Sequence, residues 1–358
     1  MLSSCIVFLV HRIVIMALLC VVFILFFSTC EAKLQLPKHV NITGVFAFGD
    51  SIVDQGNNNN LTTHAKCNYL PYGKDFMGGN KPTGRFSNAR TPADMLVEDF
   101  GIKKLMPAYL DQDLKVEDLK TGVSFASGAS GYDLLTPIVA SALPLSVQLA
   151  LFQQYIWKMN GFIGEEAAKD IVKKSLYIVV AGSDDLCNTY FMLKFPRKIQ
   201  YNIDSYTNLM VDGASNFVND LYNMGARRIW IFGLPPIGCL PSQRLRGGGF
   251  PKVCVEEYNQ AAQMTNTKLS AKIYSLNEKL PQSELLYINI YDPLLDIIVN
   301  HHKYGFEDAK SACCIGGNEF LLCSNTTGTC ENDTKYLFWD SYHLTEKGYR
   351  ILLDQIFN

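Results

Sequence analysis

Charge of one sign is what this sequence lacks: 32 Lys and Arg stand against 34 Asp and Glu, a formal net charge of −2 over 358 residues. So close a balance gives no basic field for nucleic acid and no attraction to an anionic membrane surface. Linkers rich in Gly/Ser or Pro are also missing, as are internal repeats and low-complexity tracts apart from the run Asn57–Asn60. Nothing therefore divides the body of the chain, and residues 33–358 are expected to form one α/β domain. After Phe27 no second long apolar run occurs, so no membrane span is expected in the body. CxxC spacing is absent, and no histidine lies between Cys314 and Cys330, which argues against a zinc site in that cysteine cluster.

The single long apolar run, Ile13 to Phe27, follows His11 and Arg12 and ends in the small residues Ser28, Thr29 and Cys30. That order reads as a secretory signal over residues 1–32, although the run is also long enough for an uncleaved anchor. Eight of the 11 cysteines lie beyond it. An even number fits an oxidising compartment, and Cys239 with Cys254 forms a plausible loop-closing pair. Four sequons, at Asn41, Asn60, Asn325 and Asn332, agree with export and N-glycosylation.

Along the body, apolar strands alternate with helical stretches. Five strands are predicted, at Val45–Phe48, Val123–Ala126, Leu176–Val180, Arg228–Phe232 and Leu285–Ile290. Helices are predicted over 91–100, with Thr91 as N-cap and Pro92 at the first position, and over 145–159, 203–224, 255–277 and 345–356. This alternation implies βαβ units, a parallel sheet and helices on both faces. Polar residues follow the strand ends at Asp50-Ser51, Ser127-Gly128 and Gly182-Ser183-Asp184-Asp185. Open parallel sheets place their ligand crevice there, so three separate segments are expected to converge on one cleft.

Ser51 follows the first strand, and Asp340 and His343 stand three residues apart before the last helix. A serine, an imidazole and a carboxylate are the nucleophile, base and orienting acid of acyl transfer. Each has a simpler reading alone: Ser51 as a helix cap, Asp340 as a turn cap, His343 as a surface residue. The pairing carries the signal. Of the five histidines outside the signal, His301 and His302 are adjacent and read as a helix end, and His39 and His64 have no matching carboxylate. The segment around Ser51 is not the Gly-x-Ser-x-Gly elbow of α/β-hydrolases. Gly128 lacks a Cβ, so its N–H could approach a substrate oxygen closely, as an oxyanion hole requires.

Gly49-Asp50-Ser51, in Phe-Gly-Asp-Ser-Ile-Val-Asp-Gln-Gly-Asn-Asn-Asn, resembles the first conserved block of plant GDSL esterase/lipases of the SGNH hydrolase superfamily. So do Pro82-Thr-Gly-Arg-Phe-Ser-Asn88, Gly122-Val-Ser-Phe-Ala-Ser-Gly128, Gly233-Leu-Pro-Pro-Ile-Gly-Cys239 and the Asp340/His343 block, in family order across nearly the whole body. The resemblance implies a three-layer α/β/α sandwich around a mainly parallel, five-stranded sheet. It implies hydrolysis of lipid or other acyl esters with no metal or organic cofactor, by a secreted monomer. It maps the nucleophile to Ser51, the base to His343, the acid to Asp340, and oxyanion donors to the amides of Ser51 and Gly128. The variants Val-Ser-Phe-Ala-Ser-Gly at 123–128 and Gly-Ser-Asp-Asp at 182–185 look most like the extracellular lipases of anther and pollen coat. In the family pattern Gly-x-Asn-Asp, the Asn amide is a third donor, but here the position is Asp184. An ionised carboxylate donates nothing. Three outcomes follow: a protonated Asp184 that donates, an Asp184 turned aside, or a weak enzyme that serves chiefly as an extracellular lipid- or wall-binding protein.

Overall fold

A computed structural model of the chain describes residues 42–192, 196–248, 253–315, 322–326 and 328–357. The expected signal at 1–32 and the sequon residue Asn41 lie outside them. Four strands, β1 (Val45–Gly49), β2 (Leu176–Val180), β3 (Arg228–Phe232) and β4 (Glu284–Ile288), form an all-parallel sheet in the order β1-β2-β3-β4. Pairing is in step throughout, from Val45 opposite Leu176 to Phe232 opposite Ile288. The near-continuous burial of β1, β2 and β3 is that of a sheet covered on both faces.

The predicted second strand, Val123–Ala126, is not a strand of this sheet, which has four strands rather than five. It meets β1 in one isolated parallel bridge, Ala47 to Ser124, and Ser124 bridges on its other side to Ala108. Side chains break the ladder there: Ser124 Oγ donates to Val53 O at 2.6 Å and accepts from Ala126 N–H at 3.2 Å. The segment still flanks β1, since Ala47 N–H donates to Val123 O and Phe125 N–H to Ala47 O. The chain thus runs outward from β1 in both directions, and the reversal falls between β1 and β2, where ligand crevices of such sheets form.

Helices follow the strands: α1 (Pro92–Asp99), α2 (Leu145–Ile163), α3 (Glu165–Lys174), α4 (Ile203–Asn223), α5 (Glu256–Lys279), α6 (Tyr291–Val299) and α7 (Glu346–Phe357). One face of the sheet carries Phe46 and Phe48, both fully buried, against Phe152 and Tyr155 of α2 and Phe217 of α4. Burial of each such side chain contributes about 1.5–3 kcal/mol and anchors β1 on this face. On the other face Ile178, Val180 and Phe232 look toward α1, α6 and α7. Two small two-stranded sheets, Asp308–Ala312 with Tyr336–Phe338 and Cys314–Ile315 with Gly328–Thr329, carry the chain to the last helix.

Disulfides join Cys239 to Cys254, Cys313 to Cys330 and Cys314 to Cys323. The even number of cysteines does not become four bridges, because Cys67 and Cys187 are buried thiols. Among the described residues no helix is long and apolar enough to cross a membrane, and no group of three or more His, Cys, Asp or Glu could hold a metal.

The Arg85 of the second motif has a structural role. Its guanidinium grips Asp94 through Nε to Oδ2 at 2.8 Å and an Nη2 bond to Oδ1 at 2.9 Å, and it also donates to Met106 O. Asp94 in turn accepts from the Thr91 and Met106 amides, which caps α1 and ties it to the next loop. Arg85→Leu leaves a buried, unpaired carboxylate and is expected to lower unfolding free energy by about 3–5 kcal/mol. Urea unfolding checks this, as a lower midpoint at unchanged slope. A loss below about 1 kcal/mol would mean that water reaches Asp94.

Candidate active site

β1 ends at Gly49, whose φ of +127° no side chain tolerates: a Cβ there would stand 1.7 Å from Val180 O. Gln148 of α2 clamps this residue, accepting from Gly49 N–H and donating to Gly49 O, both at 2.9 Å. The chain then turns. Asp50 N–H donates to Val180 O at 2.8 Å and Asp50 Oδ1 accepts from Ile52 N–H at 3.0 Å, which presents Ser51 at the carboxyl end of the sheet. No helix starts at Ser51, so it is not a cap.

His343 arrives from the loop before α7. Its Nε2 lies 2.6 Å from Ser51 Oγ, and its Nδ1 lies 2.8 Å from Asp340 Oδ2. Asp340 Oδ1 accepts the N–H groups of both Tyr342 and His343 at 2.8 Å, so the three-residue spacing does fold the carboxylate back onto the ring. Tyr72 donates its hydroxyl to Asp340 Oδ2 at 2.7 Å. Surrounded by donors, Asp340 acts as an acceptor and fixes the ring proton on Nδ1; Nε2 is then left to accept from Ser51. The ring of Phe86 packs 5.0 Å from the imidazole centroid, and His343 and Asp340 are both buried. Tyr72 and Phe86 were not expected from the sequence, although Phe86 lies in the second motif.

Gly128 does not offer its amide to this site. Its N–H donates to Asp54 Oδ2 at 2.9 Å, and its carbonyl accepts from Asn58 Nδ2 at 3.1 Å. The reason lies in the asparagine run: buried Asn57 and Asn58 bond to Ser124 O, Ala126 O and Ser127 Oγ and lash this turn down from below. The run is therefore internal scaffolding at Asn57 and Asn58. Ala129 lines the cavity instead, in the left-handed region at φ +65°. Among the described residues the N–H groups of Ser51 and Ala129 have no partner.

Asp184 also lines the cavity, after β2. Burial lifts its carboxyl to about 6, against the opposing pull of the Asn188 amide and the His343 ring. Asn188 Nδ2 donates to Asp184 Oδ1 at 2.5 Å, and Asn188 Oδ1 accepts from Tyr342 and Arg246. The neighbouring Asp50 is held well above the ordinary carboxylate range, first by burial and then by the charge of Asp184, and its Oδ2 has no hydrogen-bond partner. Asp185, by contrast, is a brace: it accepts from Thr136 and from the amides of Tyr132 and Asp133.

Around these polar groups lies a cleft open to solvent, with apolar walls that include Ala65, Val139, Ala140, Met192 and Leu322. His64 lies at its edge, a position its sequence context did not reveal. An apolar cleft with a few convergent polar groups suits a substrate with a hydrocarbon part and one polar reacting centre.

The description GDSL-like Lipase/Acylhydrolase matches the chain over residues 45–356. GDSL esterase/lipase EXL3 of Arabidopsis thaliana is 49% identical over 343 residues, which are 95% of this chain and 93% of that protein. GDSL esterase/lipase At1g20120 of the same plant is 49% identical over 311 residues, 86% of this chain and 77% of the relative. GDSL esterase/lipase EXL2, also of Arabidopsis thaliana, is 44% identical over 92% of this chain and 91% of its own length. With its parallel sheet, its serine at the end of β1 and its Asp-x-x-His before α7, the chain belongs to the GDSL esterase/lipase family of carboxylic ester hydrolases.

Proposed function

We propose that the protein is a secreted serine esterase acting on lipid or other acyl esters, made with a signal peptide over residues 1–32 and folded as one catalytic domain over 33–358. The observation that carries this reading is the 2.6 Å contact of His343 Nε2 with Ser51 Oγ, backed by Asp340 on Nδ1. Ser51 Oγ attacks the ester carbonyl while His343 takes its proton. The imidazolium, stabilised by Asp340, returns that proton to the departing alcohol and leaves an acyl-enzyme. Water, deprotonated by His343, then releases the acid and restores Ser51. The amides of Ser51 and Ala129 are the oxyanion donors the geometry favours, since Gly128 N–H is committed to Asp54.

Export with N-glycosylation at Asn60, Asn325 and Asn332 is supported by exposure of all three residues. At Asn332 the sequon hydroxyl of Thr334 already donates to the side-chain oxygen at 2.7 Å. One observation favours a second reading, an extracellular lipid- or wall-binding protein of low activity: Asp184, at the position where the family resemblance implies an amide donor, lines the cavity with a carboxyl group.

Labelling of the purified protein with a fluorophosphonate separates the two. We expect wild type to be labelled, and Ser51→Ala and His343→Ala to be silent. Failure of a folded wild type to react would favour the binding protein, and labelling of Ser51→Ala would remove Ser51 from the reaction.

A further inference from the structure

A second, apolar cavity lies behind the first, between the sheet and helices α1, α6 and α7. Its walls are Leu, Ile, Val, Pro and Phe, with Tyr342 and Tyr349 as the only residues bearing a polar side-chain atom. Ile52, Pro235, Leu240 and Tyr342 line both cavities, so these four side chains are the partition between them. Ile52 directly follows Ser51, which places the partition next to the atom that would be acylated.

We infer that this chamber is an acyl-chain subsite, and that the protein acts on esters of medium- to long-chain fatty acids. The inference rests on the esterase reading above and names its substrate class. An apolar cavity offers water almost nothing to bond, stays dry, and accepts hydrocarbon. A polar or charged acyl group would lose its hydration there without replacement. Tyr342 is held at the partition by its hydroxyl, which donates to Asn188 Oδ1 at 3.0 Å, and its ring faces both compartments. An alkyl chain attached at Ser51 therefore passes Ile52 and Tyr342 and lies against Leu96 of α1, Leu294 of α6 and Leu353 of α7. Each methylene that enters raises kcat/KM by about fourfold, until the chamber is full.

The test is a series of 4-nitrophenyl esters with acyl chains from acetyl to hexadecanoyl, on wild type, Leu294→Trp, Leu294→Phe and Leu294→Ala. Leu294 is buried on the chamber wall and away from Ser51, Asp340 and His343. In wild type kcat/KM rises with chain length. Leu294→Trp fills the chamber and lowers kcat/KM for dodecanoyl esters by about tenfold or more, while acetyl and butanoyl esters stay within about twofold. Leu294→Phe gives a smaller shift of the same sign, a safeguard if the indole is too large to fold around, and Leu294→Ala extends the preference to longer chains. In parallel, calorimetry of dodecanoate binding to Ser51→Ala, with and without Leu294→Trp, reads the chamber without catalysis, and the added indole is expected to weaken binding. Turnover of short esters with a flat chain-length profile, or one that the Leu294 variants leave unmoved, overturns the chamber while sparing the esterase. Chamber-dependent dodecanoate binding with no ester turnover overturns the esterase and leaves a binding site for alkyl chains.

Discussion

Asp340→Asn is expected to lower kcat for ester hydrolysis about 10⁴-fold with little change in KM, although it replaces one atom. Four donors converge on this side chain: the amides of Tyr342 and His343 on Oδ1, and the Tyr72 hydroxyl and His343 Nδ1 on Oδ2. A carboxylate accepts all four; a carboxamide cannot. If the new NH₂ takes the Oδ1 position, it opposes two backbone N–H groups in a buried turn, and the loop that carries His343 is destabilised. If it takes the Oδ2 position, it donates to His343 Nδ1. The ring proton must then sit on Nε2, where it faces Ser51 Oγ as a donor and cannot accept the serine proton. Both arrangements remove the base. Steady-state kinetics with a short ester and the rate of fluorophosphonate labelling should fall together, and nitrogen NMR of the imidazole should report the changed tautomer. A loss below about tenfold would show that Asp340 does not set the ring proton.

Strand positions were legible because a doubly covered parallel sheet demands short apolar runs, which stand out at Leu176–Val180 and at residues 229–232. Helix α1 was legible for its Thr91-Pro92 start, and α4 and α5 for their length. Helix α3 was missed: only Ala168 and Val172 of its ten residues are buried, too few to make a periodic stripe. The second predicted strand was over-read because Val123–Ala126 has the composition of a strand, whereas the bonds of Ser124 that break its ladder depend on Val53, 71 residues away. Ser51, His343 and Asp340 were readable as a set because two of them are local neighbours with a turn-forming spacing. What local pattern could not show was the fate of individual hydrogen bonds. Gly128 looks like a free amide until Asp54 is seen to occupy it, and Tyr72 looks like an ordinary core tyrosine until its hydroxyl is found on Asp340, 268 residues away. The acidic pair Asp50 and Asp184 is likewise a product of the β1/β2 junction, since strands remote in sequence bring it together.

That pair controls the second large expected effect. Asp184→Asn should raise kcat/KM for a neutral ester about 10²-fold at pH 8 and leave it nearly unchanged at pH 5. In wild type, burial holds the Asp184 carboxyl at about 6. Below that pH it carries its proton and can donate to the oxyanion formed at Ser51. Above it, a negative charge stands beside the developing oxyanion. Wild-type activity should therefore fall as pH rises through about 6, the reverse of the limb expected when deprotonation of a histidine base is limiting. An asparagine keeps the 2.5 Å bond from Asn188 through its carbonyl oxygen and directs a permanent N–H toward the cavity, so the falling limb should vanish. Stability gives an independent readout with a definite sign. Because the folded carboxyl sits above its ordinary 3.8, the proton stabilises the native state; that contribution is complete below about 3.8 and is lost as pH climbs through about 6. Asp184→Asn removes this dependence, so its melting temperature should exceed that of wild type at pH 8 by more than at pH 4. The other groups coupled to Asp184 are Asp50, His343, Asn188, Cys187 and Tyr342; loss of the Asp184 charge also lets the Asp50 carboxyl fall toward its ordinary range, which flattens the pH dependence in the same direction. Parallel pH–rate profiles for the two proteins would show that Asp184 points away from the oxyanion and that the backbone amides act alone. Lower activity for Asp184→Asn at every pH would show instead that this enzyme needs the carboxyl group itself.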